Sequence, residues 1–557
     1  MIIGLDVGGT HTDVVLINRR GIVSENKVPT DSTDLFSTVL TGLASITHDI
    51  DPSTIRRVVL STTLTTNAIV QNKVPDVGMI VSSGPGIDPD YFKTNDSYYP
   101  VGGSIDHRGR QVAAIDAREI KTVAKELRSR GIRHVGIVGK FSVRNPAHEN
   151  QIKAIIEKDF EKVFLGHQIS GLLNFPRRIA TTFLNASVYP IHNEFFQAVK
   201  KSLKEGGIDT SIRILKADGG NMRFESSVDV PGQTILSGPA ASVMGAVAYA
   251  KPDIDTLVLD IGGTTTDMTI LSGGVPILAP LGIEMGPYLT LIRSLDTHSF
   301  GVGGDSQITV NAGKIEIGPN RQGPAMAFGG PAPTPTDALF VMGKMDTGDR
   351  LKSVRGMSVL AGQLGMDVER AAELVFTKAC EQILLEARNM EVRLNRKPVY
   401  TLHEIREGVR INPKEILILG GPAPFFAERI QKLSSQHVRV VPKWSVANAM
   451  GAALARTTCE VSLFADTEAC HIISPSEDYQ ACIQPNFDQA DAEETVFDLL
   501  KQKALKRGAN PDFLEMELLE SQTFNMVRGF QTTGKNMRMR AQIKPGLIRG
   551  FENILKL

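Results

Sequence analysis

Two short stretches of the sequence combine acids, glycines and threonines in the same order. The pattern Asp-x-Gly-Gly-Thr-x-Thr-Asp spans residues 6–13 and returns at residues 260–267. Its first acids, Asp6 and Asp260, each follow an apolar run. Carboxylates are the oxygen ligands that hold Mg²⁺, and glycines let backbone N–H groups approach phosphate oxygens closely. The repeated pattern therefore predicts two halves of a site for a magnesium nucleotide.

The residues assigned to this chemistry fall into two groups. The carboxylates are Asp6 and Asp260, predicted as metal ligands, and Asp267, predicted as a further catalytic acid. The predicted donors to the nucleotide phosphates are Gly8, Gly9, Thr10, Thr12, Gly262, Gly263, Thr264 and Thr265. Each Gly-Gly pair could instead be an ordinary hairpin turn, in which Asp beside Gly is common. The agreement of two copies favours the functional interpretation.

The elements that must position these residues are two hairpins. MIIGLDV is an apolar run typical of a strand, Gly8-Gly9 supplies a tight turn, and THTDVVLI alternates as the outgoing strand. Residues 256–274 repeat the same order. The copies lie too far apart for a stacked repeat array. Their spacing suits two duplicated domains that face each other across a cleft.

Composition and charge limit the classes of protein to which the chain could belong. The chain has 557 residues, enough for two to four domains, and 61 basic residues balance 61 acidic ones. No global charge attracts nucleic acid or anionic lipid, and no apolar stretch approaches the ~20 residues of a membrane span. The four cysteines form no CxxC pair, which argues against a thiol metal site or a disulfide scaffold. The expected protein is soluble and cytoplasmic, without a signal peptide.

Other segments offer candidates for the substrate side. Thr63 and Asn67, four residues apart, would share a helix face, where Asn67 could orient a carbonyl or merely bridge locally. Asp296 and His298, two apart on an extended segment, point to the same side. With the loop that follows they are predicted to bind substrate or a second metal. The loop residues assigned to substrate are Gly303, Gly304 and Asp305.

Two further segments have both a possible functional role and a possible structural role. His148-Glu149 could bind a metal or act as acid and base, although a His after Asn-Pro is often a surface turn residue. Ser237-Gly238-Pro239 reads as a helix start, which favours a phosphate or simply close helix packing. The sequence contains no HExxH motif and no Ser or Cys in a GxSxG turn. Any hydrolysis would therefore need activation by phosphate.

The paired hairpins resemble those of the superfamily of sugar kinases, heat-shock chaperones and actin. Several further segments, in preserved order, resemble the hydantoinase A and oxoprolinase family within it. These segments are STTLTTNAIVQ (61–71), RNPAHENQI (144–152), RRIATTFLNASVYP (177–190), ADGGNM (217–222), TILSGPAASVMGA (234–246), LDTHSFGVGGDSQITV (295–310), GGPAPTPTDALFVMG (329–343) and LILGGPAPFFAERI (417–430). The sequence is identified as a member of that family over residues 1 to about 456.

The resemblance implies several expectations. It implies that Gly420, Gly421 and Pro422 contact adenosine, although any strand-to-helix turn favours these residues. It also implies a family role for the helix that carries Arg178 and Asn185, for which a salt bridge of the arginine is the structural alternative. The chain departs from the family at His11, at Asp305 and in the loop 318–330. These departures leave the substrate undefined.

The predicted fold is α/β, with two ribonuclease-H-like, actin-like ATPase domains facing a nucleotide cleft and a small C-terminal α+β domain. Its predicted domains are residues 1–180, 181–456 with an inserted helical part, and 457–557. Helices are predicted at 33–47, 116–130, 146–158, 177–206, 358–391 and 402–410, and in DAEETVFDLLKQKALKRG. Strands are predicted for DFLEMELLES, TFNMVRGFQTT and NMRMRAQIKPG.

The resemblance implies an enzyme with ATP and Mg²⁺ as cofactors. It would phosphorylate the carbonyl oxygen of a lactam or cyclic imide, hydantoin- or oxoproline-like, so that water opens the ring. A hydantoinase B-like subunit is the expected partner, and homo-oligomerisation is left open. The alternatives are an ATP-dependent ketone carboxylase subunit, a small-molecule kinase and a chaperone-like reactivating ATPase. Cluster-binding cysteines, which redox activators of the last kind would use, are missing from the sequence.

Overall fold

The first predicted hairpin lies in a six-stranded sheet. The computed structural model describes residues 1–9, 11–31, 33–279, 281–396 and 410–551. In it, the strand that ends in Asp6 and Val7 is fully buried and pairs antiparallel with the strand that follows it. The strands of this sheet, from edge to edge, are Asn221–Arg223, Ile212–Leu215, Arg57–Thr62, Ile2–Val7, His11–Asn18 and Gly21–Pro29.

The second predicted hairpin is built in the same way. Asp260 stands opposite Asp267, as Asp6 stands opposite Asp13, so the two copies share one register. The strands of its sheet are Val275–Pro276, Thr266–Ser272, Thr256–Ile261, Glu415–Leu419 and His437–Val440, with Thr297–Phe300 also paired to Thr266–Ser272. The prediction of two duplicated hairpins is confirmed.

Two helices lie between these sheets, Ser237–Val247 and Ala447–Leu454, called here the central helices. They form one buried core with the facing sides of both sheets. Glycines let them cross closely, because a Cβ atom at Gly451 would lie 2.1 Å from the carbonyl oxygen of Ala241. Bulkier residues at this crossing would push the helices, and with them the sheets, apart.

Helices cover the outer faces of both sheets. Leu35–Thr47 and the second half of Phe175–Glu205 cover the first sheet. The second sheet is covered by Pro335–Val341, Arg350–Leu364, Val368–Asn395 and Ala423–Leu433. A four-stranded sheet packs on Phe175–Glu205, with strands Lys162–Leu165, His134–Gly139, Gly78–Ser82 and Tyr98–Pro100. Its helices are Ala117–Ser129 and Ala147–Ile156.

Shorter elements complete these halves. The short helices are Leu64–Val70, Gly166–Ile169 and Phe224–Ser227. Three small antiparallel pairs are Ser104–Ile105 with Gln111–Ala113, Glu284–Met285 with Tyr288–Leu289, and Ile308–Asn311 with Lys314–Ile317. No helix within the described ranges is long and apolar enough to cross a membrane.

The C-terminal part forms a separate five-stranded antiparallel sheet. Its strands, in order, are Tyr479–Cys482, His471–Ser474, Glu460–Asp466, Gln531–Ile543 and Met516–Arg528. The helix Gln489–Lys506 packs on one face, where Val496 and Leu500 are fully buried. Asp488 caps this helix and completes a capping box with Asp491. The α+β character predicted for this region is confirmed.

Some predicted elements differ from the observed ones. The helix predicted at 358–391 is two helices, because Gly365 adopts a left-handed φ of +66° and Asp367 caps a new start. The strand predicted across TFNMVRGFQTT is wrong, since the hairpin turns at Gly529 and Phe530. The helix predicted at 402–410 lies, but for Arg410, outside the described residues. The strands at 212–223 extend the first sheet, while the boundary at 180/181 stays a prediction.

Candidate functional site

Asp6 and Asp260 are each the second-last residue of the first strand of their hairpin, close to the turn. Asp6 is buried and accepts hydrogen bonds from the Ser61 hydroxyl and from Asn448 Nδ2, the latter at 3.2 Å. Asp260 is half-buried and accepts a hydrogen bond from the Ser242 hydroxyl. Each central helix thus supplies one side chain that fixes one of the two carboxylates.

Burial and neighbouring acids raise the pKa values of both carboxylates. Burial raises the pKa of Asp6 to about 6, and the charges of Asp13 and Asp260 act in the same direction. Hydrogen bonds from Ser61 and Asn448 lower this pKa but do not offset burial. The two hairpins therefore approach closely enough for their acids to repel one another.

The pKa of Asp260 is raised for the same reasons as that of Asp6. Burial raises the pKa of Asp260 to about 6, and the charges of Asp267 and then Asp13 add to this effect. Burial also raises the pKa of Asp267. Lys27 approaches Asp13 to 2.7 Å and partly compensates it. The cleft thus gathers four carboxylates around one nearby ammonium group.

This excess of carboxylates suits a divalent cation. Among the residues that the structure describes, no three His, Cys, Asp or Glu side chains are close enough to cage a metal ion. A cation here would therefore use only one or two carboxylates and complete its shell with other oxygens. Mg²⁺ binds nucleotide phosphates in this manner. The donor set around Asp6 and Asp260 fits that ion.

The hairpin tips present backbone N–H groups. In each hairpin the first glycine is tied back, with Gly8 N–H donating to the His11 carbonyl (3.1 Å) and Gly262 N–H to the Thr265 carbonyl (2.8 Å). The tip residues Gly9, Gly263 and Thr264 are exposed, and Thr265 is half-buried. Thr10 lies outside the described residues.

One predicted phosphate donor is placed elsewhere. The Thr12 hydroxyl is buried and shares a hydrogen bond of 2.8 Å with Thr30. The corresponding Thr266 hydroxyl donates to the Val302 carbonyl. Because Thr12 is paired with Val7 inside the ladder, its side chain points into the layer rather than towards the tip. The prediction of Thr12 as a phosphate donor is not supported by this placement.

Thr63 and Asn67 stand beside the first hairpin. Thr63 N–H donates to the Val7 carbonyl, and Asn67 Nδ2 lies 3.4 Å from the Thr63 hydroxyl. A Cβ atom at Gly9 would lie 3.7 Å from Asn67 Nδ2. A Cβ at Gly238 would meet Thr63 at 2.6 Å. The pair therefore lines the space between this tip and the start of a central helix.

The loop after Gly301 lies on the second hairpin. Gly304 N–H donates to the Gly262 carbonyl (2.9 Å), and Asp305 N–H donates to the Gly263 carbonyl (2.6 Å). A Cβ at Gly303 would lie 2.5 Å from the Gly262 carbonyl oxygen. The Asp305 carboxylate pairs with Arg321 at 3.0 Å. The structure thus brings the predicted glycine loop to the cleft.

The Gly420 turn closes the same side of the cleft. Gly420 has a φ of +95°, and a Cβ there would lie 2.2 Å from the Ile261 carbonyl oxygen and 2.6 Å from Asp260 Oδ1. A Cβ at Gly421 would meet nothing within 4 Å. The neighbouring Pro422 lies close to Gly304. Only glycine at position 420 permits this approach of the turn to the second hairpin.

Asp296 and His298 are not part of this assembly. Asp296 pairs with Arg393 at 2.9 Å, and His298 lies 3.6 Å from Glu386, both on the long helix Val368–Asn395. The strand Thr297–Phe300 runs antiparallel to the second hairpin, with Phe300 beside Thr266. This direction carries Asp296 and His298 away from the turn. Their predicted substrate or metal role is not supported by this placement.

The other polar candidates are structural. Glu149 is fully buried and accepts hydrogen bonds from Gly139 N–H (2.7 Å) and from the backbone and ring of His167. His148 is buried beside Gln111, so it is not a surface turn residue. Arg178 donates to the carbonyls of Gly139 and Lys140, and Asn185 accepts from Gly232 N–H.

Sequence reasoning missed three residues that hold the acids, namely Ser61, Ser242 and Asn448. Ser61 lies in the segment 61–71, near Thr63, and Ser242 lies in the segment 234–246, near Pro239. Asn448 is the polar residue of an otherwise apolar helix, ANAMGAAL. A lone amide among alanines and glycines is a signal that could have identified it.

Two models of one family match successive parts of the chain. The model for hydantoinase/oxoprolinase matches residues 178–461, and that for the hydantoinase/oxoprolinase N-terminal region matches residues 2–160. Caprolactamase subunit alpha of Pseudomonas jessenii is 23% identical over 483 residues, 79% of this chain and 68% of that protein. The acetophenone carboxylase gamma subunit of Aromatoleum aromaticum is 24% identical over 432 residues, 67% of this chain and 58% of that protein.

One solved structure extends the likeness to the whole fold. The crystal structure of ATP-dependent caprolactamase from Pseudomonas jessenii matches with a TM-score of 0.71 and 19% sequence identity. The match covers 99% of this chain and 88% of that chain. The predicted α/β fold, with two ribonuclease-H-like halves and a C-terminal α+β part, is confirmed.

Proposed function

Since the chain belongs to the hydantoinase/oxoprolinase family, we propose that it is the ATP-dependent component of a cyclic amide hydrolase. Its substrate would be a lactam or cyclic imide. One observation supports the proposal: two helices in close contact at Gly451 and Ala241 each hold one of the two acids, Asp6 through Asn448 and Asp260 through Ser242. A single magnesium-bound triphosphate is the ligand that would need donors and carboxylates from both sides.

Each group of residues has a part in this proposal. Asp6 and Asp260 would hold Mg²⁺, which neutralises phosphate charge when bound. The N–H groups at the exposed tips, at Gly9 and Gly263, would bind phosphate oxygens, while Gly8 and Gly262 close the two turns. The Gly420–Pro422 turn would lie against the adenosine. Thr63 and Asn67 on one side, and Gly303, Gly304 and Asp305 on the other, would flank the substrate.

Activation of the carbonyl explains why such a reaction needs ATP. A lactam resists water because its C–N bond is resonance-stabilised and its oxygen is a poor leaving group. Transfer of the γ-phosphoryl group to that oxygen releases ADP and makes the carbon electrophilic. Water then adds, the ring C–N bond breaks as the nitrogen takes up a proton, and hydrolysis of the resulting acyl phosphate gives the carboxylate and inorganic phosphate. The residues at the hairpin tips would position the phosphoryl group and stabilise its charge. No protein nucleophile is required.

Ring opening would be completed with a partner subunit. A similar protein is named as subunit alpha, which describes a multi-subunit enzyme. A hydantoinase B-like subunit is the proposed partner for this chain. The division of labour would place phosphoryl transfer here and hydrolysis of the activated amide on the partner.

The test is ADP release by the purified chain with a panel of lactams and cyclic imides, alone and with a co-expressed hydantoinase B-like subunit. We expect Mg²⁺-dependent ADP release that a lactam stimulates, and ring-opened product only with the partner. Accumulation of a stable phosphorylated small molecule would instead identify a kinase. No ATP binding in either preparation would exclude the proposal.

A ketone carboxylase subunit is the second candidate function. The likeness to the acetophenone carboxylase gamma subunit favours it, because the sequence identity of 24% equals that of the caprolactamase subunit within one percentage point, although over fewer residues. The same phosphoryl chemistry would activate a ketone enolate and bicarbonate. ATP turnover that requires a ketone together with bicarbonate, and that lactams do not stimulate, would select this candidate over the hydrolase.

A further inference from the structure

A second polar cavity lies where three parts of the chain meet, and it contains neither hairpin tip. We call it the junction pocket, lined by the charged residues Lys216, Asp218, Arg293, Glu460, Lys503 and Arg507. The cavity has a volume of about 90 Å³. This volume has room for a few waters or a small anion.

The lining residues come from distant elements. Lys216 and Asp218 follow the strand Ile212–Leu215 of the first sheet, and Arg293 precedes the strand Thr297–Phe300 of the second half. Glu460 begins a strand of the C-terminal sheet, while Lys503 and Arg507 lie at the end of its helix. A ligand in this pocket would therefore contact all three parts of the protein.

Positive charge exceeds negative charge in the junction pocket. Its lining has four cationic side chains and two carboxylates. Glu477, which pairs with Lys503, supplies a third carboxylate, so one positive charge remains. Arg540 lies 4.0 Å from Glu460 and 3.9 Å from Glu520, so this further pair adds no net charge.

The carboxylate of Asp218 is already occupied by protein donors. It accepts hydrogen bonds from Lys216 Nζ (2.9 Å), from the Thr458 hydroxyl (2.9 Å) and from Gly220 N–H (3.0 Å). Its side chain is only 3% exposed. Asp218 is therefore held in place, where its charge acts on both Lys216 and Arg293.

Arg293 keeps one edge of its guanidinium free of hydrogen bonds. Nη1 donates to Glu460 at 3.2 Å. Nε and Nη2 are buried yet have no hydrogen-bond partner in the described part of the chain, and Nε lies 3.6 Å from Asp218. These two nitrogens form one side of a planar group, and that side matches the two oxygens of a carboxylate.

Lys216 is buried among these charges, and burial is the main influence on its pKa. Burial lowers the pKa of Lys216 to about 8, although the adjacent Asp218 carboxylate acts in the opposite direction. The positive charges of Arg507 and Arg293 contribute to this lowering. An anion between these side chains would relieve their mutual repulsion.

We propose that the junction pocket binds a small carboxylate anion, held by the free edge of Arg293 and by the charges of Lys216 and Arg507. The bound anion would link the C-terminal sheet to both hairpin-bearing halves. Its planar carboxylate would accept two parallel hydrogen bonds from Arg293. This site is independent of the nucleotide cleft and of the proposed reaction.

Thermal unfolding of the full-length chain tests the proposal. Sodium acetate is titrated at pH 7 and constant ionic strength, with sodium chloride as balance and sodium phosphate as a second anion. We expect a saturable rise of the unfolding temperature with acetate at lower concentration than with phosphate, because ligands of the native state stabilise it. Arg293→Gln should raise the half-saturating acetate concentration at least tenfold.

The controls separate binding from damage to the fold. Arg388→Gln removes an exposed arginine on the helix Val368–Asn395 and should leave the acetate response unchanged. Arg507→Gln, at a half-exposed position, should weaken the response even if Arg293→Gln does not fold. Equal responses of wild type, Arg293→Gln and Arg507→Gln would overturn the proposal. A response to phosphate at lower concentration than to acetate would overturn the assignment to carboxylates.

Discussion

Asp6 and Asp260 are held by side chains that are distant from them in the sequence. Asn448 reaches Asp6 from one central helix, and Ser242 reaches Asp260 from the other. Among the residues that the structure describes, neither carboxylate has a basic side chain as its hydrogen-bond partner. Their positions are therefore fixed by neutral donors, and their charge is left available for a cation.

The first prediction concerns these two carboxylates. Asp6→Asn and Asp260→Asn should each reduce Mg²⁺-dependent ATP turnover by about 100-fold or more, as loss of a group that stabilises transition-state charge does. The amide keeps the size and the hydrogen bond of the original side chain, so the fold should be retained. Steady-state ADP release measures the effect. Asp253→Asn, at an exposed position ahead of the second hairpin, should leave turnover unchanged.

The same variants predict how stability depends on pH. The pKa of Asp6 in the folded chain is raised from 3.8 to about 6, so the unfolded chain loses this proton first as pH rises. Without ligands, the free energy of unfolding should fall between pH 4 and 6, by on the order of 3 kcal/mol for one such carboxyl. Asp6→Asn should show a smaller fall in denaturant titrations. An equal fall in both proteins would contradict the raised pKa.

Single residues show how far the sequence could define the site. The acids and glycines of both hairpins were predictable because their pattern is local and occurs twice. Thr12 was not, since its direction depends on strand pairing that places it opposite Val7. Asn448 was not, because its contact with Asp6 joins residues 442 positions apart.

At the level of elements, the strand–turn–helix at Gly420 determines how closely the second half can close. Leu419 ends the strand that pairs with Asp260, and Ala423 begins the next helix. The turn between them passes against the Ile261 carbonyl. The glycine there is a geometric requirement of the cleft rather than a generic loop residue.

The second prediction tests this turn with two adjacent glycines. Gly420→Ala should lower the free energy of unfolding by about 1–3 kcal/mol, because a Cβ would strike the Ile261 carbonyl and Asp260 in a left-handed conformation. Gly421→Ala meets no atom within 4 Å and should change it by less than about 0.5 kcal/mol. Urea denaturation measures both. Similar losses in the two variants would show that the turn is not constrained as described.

Elements were predicted best where a local signal marks both ends. The helices Leu35–Thr47 and Ala117–Ser129 follow Asp caps and carry a clear apolar face. The break at Gly365 was missed because apolar spacing continues through it into the next helix. The turn at Gly529–Phe530 was missed because Phe530 adopts a left-handed φ of +73°, which its residue type does not predict.

For the whole molecule, the two halves are joined by a crossed arrangement of the central helices. One central helix, Ala447–Leu454, packs on the first sheet and holds Asp6 through Asn448. The other central helix holds Asp260. A displacement at the crossing would therefore move both carboxylates, and one ligand between them would restrain both halves.

The third prediction follows from this connection. MgATP should slow amide hydrogen exchange at both hairpin tips, Gly8–Gly9 and Gly262–Gly263, over the same range of nucleotide concentration. The exposed turn at Gly529–Phe530, which belongs to the C-terminal sheet, should be unaffected and serves as the internal control. Exchange measured by mass spectrometry on peptides that cover the three turns reports each response.

The Asp260→Asn variant makes this measurement decisive. If the two tips bind one nucleotide, the substitution in the second half must also weaken MgATP protection at Gly8–Gly9 in the first half. Independent sites would instead retain normal protection at Gly8–Gly9 while losing it at Gly262–Gly263. The coupled outcome is expected because the charge of Asp260 raises the pKa of Asp6 without nucleotide. A cation that binds one carboxylate therefore changes the electrostatic potential at the other.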